Sequence, residues 1–175
     1  MTVTVRLSRL DELAILQDIE RRAGEAFRAI GMPEIADDEP ASIAELAEYA
    51  VDEQSWVAVD ATDSPIGYVL VDVVDGCAHI EQLSVMPDHQ GAGVGRALVA
   101  RVGRWATERN LAAITLTSFR DVPWNAPLYR HLGFHDLADA DIGPELAARR
   151  AEEAVHGLDP AHRVCLRFDL RSSLL

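Results

Sequence analysis

The chain has 175 residues, 49% hydrophobic and 26% charged, which is enough apolar material for one packed domain and too much for a disordered chain. Its 29 acidic and 16 basic residues leave a formal charge of −13, a surface that repels nucleic-acid phosphates and anionic membranes. The opening MTVTVRLSRLDEL has charges where a secretion signal needs an apolar core, and no apolar run approaches the roughly 18 residues of a membrane span, so the expectation is a soluble cytoplasmic protein.

Residues 2–7 alternate as a short strand. A helix is predicted from Ser8 onward, with Leu10, Leu13, Leu16, Ile19 and Ala23 on one face and Gly31 as its stop. Residues 32–40 read as an acidic loop. A second helix follows over 41–51, with Ser42 as cap and Glu45 completing a capping box. Strands are expected at 55–61, 66–76 and 77–87, joined by TDSP and DG turns into an antiparallel meander. The two cysteines, Cys77 and Cys165, fit buried structural thiols.

Three glycines then fall within five residues, in PDHQGAGVGRAL (87–98), and a helix follows with Val94, Leu98, Val99, Val102, Trp105 and Ala106 on one face. Beyond it come a strand at 111–119, an irregular RDVPWNAP, a short helix stopped by Gly133, and a strand near 134–137. A helix at 143–157 and a strand at 162–170 close the chain. No repeat, linker or boundary divides this order, so residues 1–175 read as a single α/β domain.

The strand, glycine loop and helix start together describe an anion site, because free amides and the helix dipole point into the loop. A Walker loop requires a terminal Lys-Ser/Thr, and here Gly95 is followed by Arg96-Ala97. A dinucleotide fingerprint requires G-x-G-x-x-G in an early βαβ unit; the spacing here is G-x-G-x-G after a meander.

Gln90-Gly91-Ala92-Gly93-Val94-Gly95 resembles the Q/R-x-x-G-x-G/A signature of the GNAT (Gcn5-related N-acetyltransferase) superfamily. About forty residues on, NAPLYRHLGF is similar to that family's second signature, a tyrosine followed by Leu-Gly-Phe. The resemblance covers about residues 2–137. It implies the GNAT fold, a mixed and mostly antiparallel sheet of about seven strands flanked by helices. The helix and strand at about 143–170 would complete it.

The resemblance also implies acetyl-CoA as cosubstrate. Its pyrophosphate would lie on the amides of Gly91, Ala92, Gly93, Val94, Gly95 and Arg96, with Gln90 and Arg96 adding side-chain contacts. Its pantetheine would run beside Leu83 and Val85. Tyr129 stands where the family carries a tyrosine that reaches the CoA sulfur. Asn125 would hydrogen-bond the pantetheine, or fix its loop, or cap the following helix.

For the base, period-two geometry puts His79 and Glu81 on the same strand face as Leu83 and Val85. A carboxylate on this strand is common in the family, which favours Glu81. Acceptor pockets in the family are usually built by the first two helices and their loop, here about 24–52, with segments near 120–125. Glu25, Glu34, Asp37, Asp38 and Glu39 there would either attract a cationic amine or form a solvated loop. His89, His131, His135, His156 and His162 show no metal-ligand spacing, so no metal is expected. The expected function is acetyl transfer to a primary amine of a small molecule, without nucleic acid or membrane and with a possible homodimer. A protein lysine or N-terminal acetyltransferase and a non-catalytic acyl-CoA sensor stay open.

Overall fold

A computed structural model describes residues 2–170. Strand order in the sheet is β1-β2-β3-β4-β5-β7-β6, with β1 at Thr4–Leu7, β2 at Ser55–Val59, β3 at Pro65–Val74, β4 at Cys77–Val85, β5 at Ala113–Phe119, β6 at His135–Asp136 and β7 at Arg163–Asp169. Helices flank it: α1 (Leu13–Gly24), α2 (Pro33–Ala36), α3 (Ile43–Val51), α4 (Val94–Glu108), α5 (Ala126–His131) and α6 (Pro144–Val155). This is the mixed sheet expected from the sequence resemblance. The chain groups into two compact units. One holds the described residues up to Val71 together with Gln82–Arg101; the other holds Asp72–Glu81 and those from Val102 on.

In the first unit, β1 pairs antiparallel with β2 from Thr4↔Val59 to Leu7↔Trp56, and β2 pairs antiparallel with β3. Leu13, Leu16 and Ile19 of α1 pack with Leu46, Val57, Tyr68 and Leu70 in one apolar cluster. Leu10, expected on that helical face, lies in the turn before α1 and is 61% exposed. The chain leaves α1 through a 3-10 segment, Glu25–Ile30, which Gly31 stops at φ 80°. The acidic loop contains the single turn of α2. Ser42 and Glu45 form the expected capping box: the Ser42 hydroxyl accepts from the Glu45 amide at 3.2 Å, and the Glu45 carboxylate accepts from the Ser42 amide at 2.8 Å. The strand expected to reach residue 61 ends at Val59, because Asp60 folds the turn by accepting from the amides of Thr62 (2.8 Å) and Ser64 (3.1 Å).

In the second unit, β3 and β4 meet across Asp75-Gly76, both in the left-handed region (φ 49° and 70°), as a type I′ hairpin requires. β4 pairs in parallel with β5 at Ala78↔Ile114 and His79↔Thr115, and β5 pairs antiparallel with β7 from Ala113↔Asp169 to Phe119↔Arg163. β6 has only two paired residues. Leu146 of α6 packs on Val74 and Cys165. Both cysteines are buried free thiols. Among the described residues no helix is long and apolar enough to cross a membrane.

Candidate functional site

The glycine loop lies in the first unit. After β4 the chain makes one 3-10 turn, Pro87–His89, closed by the His89 amide donating to the Met86 carbonyl at 2.9 Å. Gly91 and Gly93 follow at φ 77° and 83°, where any side chain is strained. A Cβ placed on either would meet no protein atom within 4 Å, so the outer face of the loop is open. Buried Val94 and Leu98 anchor α4 behind it. The first bond closing that helix runs from the Ala97 amide to the Gly93 carbonyl at 3.0 Å. By helix geometry the amides just before Ala97 have no intrahelical carbonyl, and they carry the positive end of the dipole. A left-handed glycine pair with an open face and free amides fits a phosphate or pyrophosphate.

Gly95 differs from the other two. A Cβ there would touch Leu83 Cδ2 at an ordinary 3.9 Å, so neither backbone shape nor close packing demands glycine. The exposed Gln90 side chain folds back and donates to the Val85 carbonyl at 3.3 Å, tying the loop to the end of β4. Arg96 is exposed, and Leu83 and Val85 are half-buried.

The second unit holds a polar cluster. His79 is 2% exposed, and its Nδ1 shares a 3.0 Å hydrogen bond with Thr115 Oγ1 on the adjoining strand. Its Nε2 lies 3.8 Å from Glu81 Oε2, so the two candidate bases do meet. Burial, reinforced by the nearby Arg149 charge, lowers the imidazole to about 4, so His79 is neutral at neutral pH. Glu81 is paired with Arg149, which also donates from Nη2 to Asp72 Oδ2 at 2.7 Å. Partial burial raises the Glu81 carboxyl, Arg149 pulls it back down, and Asp72 and Glu153 add to the rise. One helical turn beyond Arg149, Glu153 accepts from the Thr117 hydroxyl and from Arg163 Nη2 (3.2 Å).

Tyr129 lies in the same unit, on α5. Its ring meets Phe134 edge-on at 5.6 Å, and Phe134 stacks toward Phe168 at 5.5 Å. Burial pushes its phenol up to about 12. Asn125 stands at the N-cap of α5 without a capping hydrogen bond from its side chain. Its Oδ1 instead accepts from the Ser118 hydroxyl at 3.0 Å, a tie from the start of α5 to β5.

The acidic stretch expected near an acceptor is largely neutralised in place. Arg28 pairs with Asp37 (2.5 Å) and Glu25 (3.3 Å), and Arg21 with Glu39 (3.4 Å). Among the described residues no group of three or more His, Cys, Asp or Glu side chains can hold a metal ion. Sequence reasoning did not single out Asp72, Arg149, Glu153 or Arg163. The one available signal was the i,i+4 spacing of Arg149 and Glu153, which reads equally well as a solvated ion pair.

The fold has many relatives of low sequence identity. An acetyltransferase of the GNAT family from Staphylococcus aureus Mu50 matches with a TM-score of 0.72 at 11% identity, over 97% of this chain and 100% of that one. The ribosomal-protein-S18-alanine N-acetyltransferase from Escherichia coli matches with a TM-score of 0.66 at 17% identity, over 99% and 97%. N-acetylglutamate synthase from Neisseria gonorrhoeae, crystallised with coenzyme A and N-acetyl-glutamate, matches with a TM-score of 0.73 at 15% identity, over 98% of this chain and 36% of that one. At these identities the likeness is one of fold. The sequence itself matches a family model described as Acetyltransferase (GNAT) family over residues 15–134. The chain therefore belongs to the GNAT acetyltransferase family.

Proposed function

We propose that this protein transfers an acetyl group from acetyl-CoA to the primary amine of a small molecule by direct attack, without an acyl-enzyme. The observation that carries the reading is the loop at Gly91–Gly93, left-handed, open on its outer face and set against the first amides of α4. These amides would hold the CoA pyrophosphate, while Leu83 and Val85 would border the pantetheine and Arg96 would add a charge at the loop's rim. Gln90 would act through the β4 backbone it holds, and Asn125 through its tie to Ser118 or by a hydrogen bond to the pantetheine. Two solved relatives of the same fold, one named above and one from Thermoplasma acidophilum, carry coenzyme A in their crystals, which supports this cosubstrate.

Acetyl-CoA, when bound, supplies an activated thioester. The chain's own groups must then manage protons. As the amine nitrogen bonds to the acetyl carbon and the carbon–sulfur bond breaks, the nitrogen loses a proton and the sulfur needs one. Glu81 is the base we assign, because it is 42% exposed and ionisable, whereas His79 is sealed in and held neutral by burial. A phenol at about 12 stays protonated through the neutral range, so Tyr129 can offer its O–H to the departing sulfur. α6 packs over part of the strand face that carries Glu81, which favours a small acceptor over an extended peptide.

The test is a panel of amines assayed by thiol release from acetyl-CoA, with peptides and free lysine included. Turnover of one class of small amine, abolished by Glu81→Gln, is the expected result. Peptides alone as acceptors would replace the small-molecule reading with protein acetylation. Acetyl-CoA binding with no thiol release from any amine, and no effect of Tyr129→Phe, would make the chain a sensor.

A further inference from the structure

α6 lies in the chain between β6 and β7, outside the residues that the family match covers. It is fastened to the second unit at both ends. At its start, Asp75 in the β3–β4 turn accepts from the amides of Glu145 (3.1 Å) and Leu146 (2.9 Å), and the Glu145 carboxylate accepts the Asp75 amide in return. This has the form of a capping box made between two elements instead of within one. Gly143 makes the approach possible, since a Cβ there would stand 2.4 Å from the Asp75 carboxyl. Further along, Glu153 binds Thr117 of β5 and Arg163 of β7.

Between these anchors the same face of α6 presents Arg149, one turn before Glu153 and one turn after buried Leu146. Arg149 reaches two carboxylates on two strands, Asp72 of β3 and Glu81 of β4. Its side chain is 33% exposed, so the pair is partly shielded from water but not sealed. Arg149 gives one guanidinium nitrogen to each carboxylate, and because its helix is anchored at both ends it orients Glu81 more tightly than a freely solvated cation does.

We infer that Arg149 is a positioning residue for Glu81, fixing the orientation of its carboxylate on β4 and supplying its counter-charge from a helix anchored for that purpose. The inference rests on Glu81 being the base. Among the described residues, the charged or titratable groups that act on Glu81 include His79 on its own strand, Asp72 on β3, and Arg149 and Glu153 on α6, with Arg163 of β7 holding Glu153. His79 stays neutral over the working range, and Asp72 and Glu153 oppose ionisation of Glu81. Arg149 is therefore the cation of the set that favours the carboxylate.

The experiment compares wild type, Arg149→Met, Arg149→Lys and Glu81→Gln. The Glu81 side-chain carboxyl resonance is identified by its loss in Glu81→Gln and titrated by carbon-13 NMR, and the pH profile of kcat/KM for thiol release is recorded with the best amine. In Arg149→Met the Glu81 midpoint should rise by about one unit or more, the acid limb of kcat/KM should move up with it, and Arg149→Lys should restore most of both. A merely structural arginine would lower activity or melting temperature without moving either midpoint. A Glu81 resonance that titrates identically in Arg149→Met, in protein whose own melting curve shows it folded, overturns the inference. Unchanged turnover and an unchanged acid limb in Glu81→Gln overturn the base assignment instead, whatever Arg149 does to the carboxyl.

Discussion

Tyr129 and Gly93 carry the two residue-scale predictions because each can be altered without touching the core. The Tyr129 ring is held by Phe134, so Tyr129→Phe keeps the packing and removes only the hydroxyl. Among the described residues that hydroxyl makes no hydrogen bond, so its loss leaves no partner stranded in the protein. Thiol release should fall by about a hundredfold, a common contribution of one acid, while acetyl-CoA affinity stays within about twofold. Equal activity in the two proteins would remove Tyr129 from the chemistry. Gly93→Glu puts a side chain at φ 83° and a negative charge at the proposed phosphate cradle. Acetyl-CoA binding should disappear from calorimetry while the melting temperature falls only by the few degrees that about 1 kcal/mol of strain at a positive φ costs, because the loop is exposed and an added Cβ meets no neighbour.

At the scale of the element, the anchoring of α6 can be tested apart from catalysis. Gly143→Ala drives a Cβ into the Asp75 carboxyl, which must turn away and release the amides of Glu145 and Leu146. Loss of a helix cap typically costs about 1 kcal/mol. Faster amide exchange confined to residues 144–155 is expected, whereas Ser42→Ala, a cap loss of similar size, should loosen only α3. Exchange rising equally across the chain in Gly143→Ala would argue against a local anchor.

The same elements separate what the sequence made legible from what it did not. Ser42 with Glu45, Asp75 with Gly76, and Gly31 after a helix are signals written within four residues, and each folds as its local chemistry predicts. The glycine loop was legible too, since φ values near 80° at Gly91 and Gly93 leave few other residues possible. Arg149 was not, because its partners Asp72 and Glu81 lie 77 and 68 residues earlier and only the folded sheet brings them under α6. Charged residues at i,i+4 on a helix look solvated until a sheet is known to face them. Leu10 failed in the opposite sense: helical spacing extends back to it, yet the chain has already turned before Leu13.

For the whole molecule, pH is the variable that reaches every charged cluster, and it acts in two windows. Asp37, Asp63 and Asp136 are held below the usual carboxylate range by their hydrogen bonds to Arg28, to Arg6 and Arg9, and to Arg130. A carboxyl depressed in the fold stabilises it above the unfolded value and loses that contribution as pH falls through the folded value, so these act at about 4 and below. His79 acts higher. Its folded value of about 4 lies under the unfolded 6.5, so the unfolded chain takes up this proton first and stability drains away as pH falls from 6.5 to about 4. The full shift corresponds to about 3 kcal/mol. Glu20 and Glu81 have carboxyls raised chiefly by burial, so they take up protons in the fold first and oppose that loss within the same window. The absolute slope is therefore a sum, and the decisive quantity is the difference between wild type and His79→Gln. Urea unfolding at pH 7 and at pH 5 should show the wild type losing more stability than His79→Gln, with the two slopes converging below about pH 4. Parallel losses from pH 7 to pH 5 would mean that His79 is not held neutral by burial, and Glu81 would then lose its advantage over it as the base.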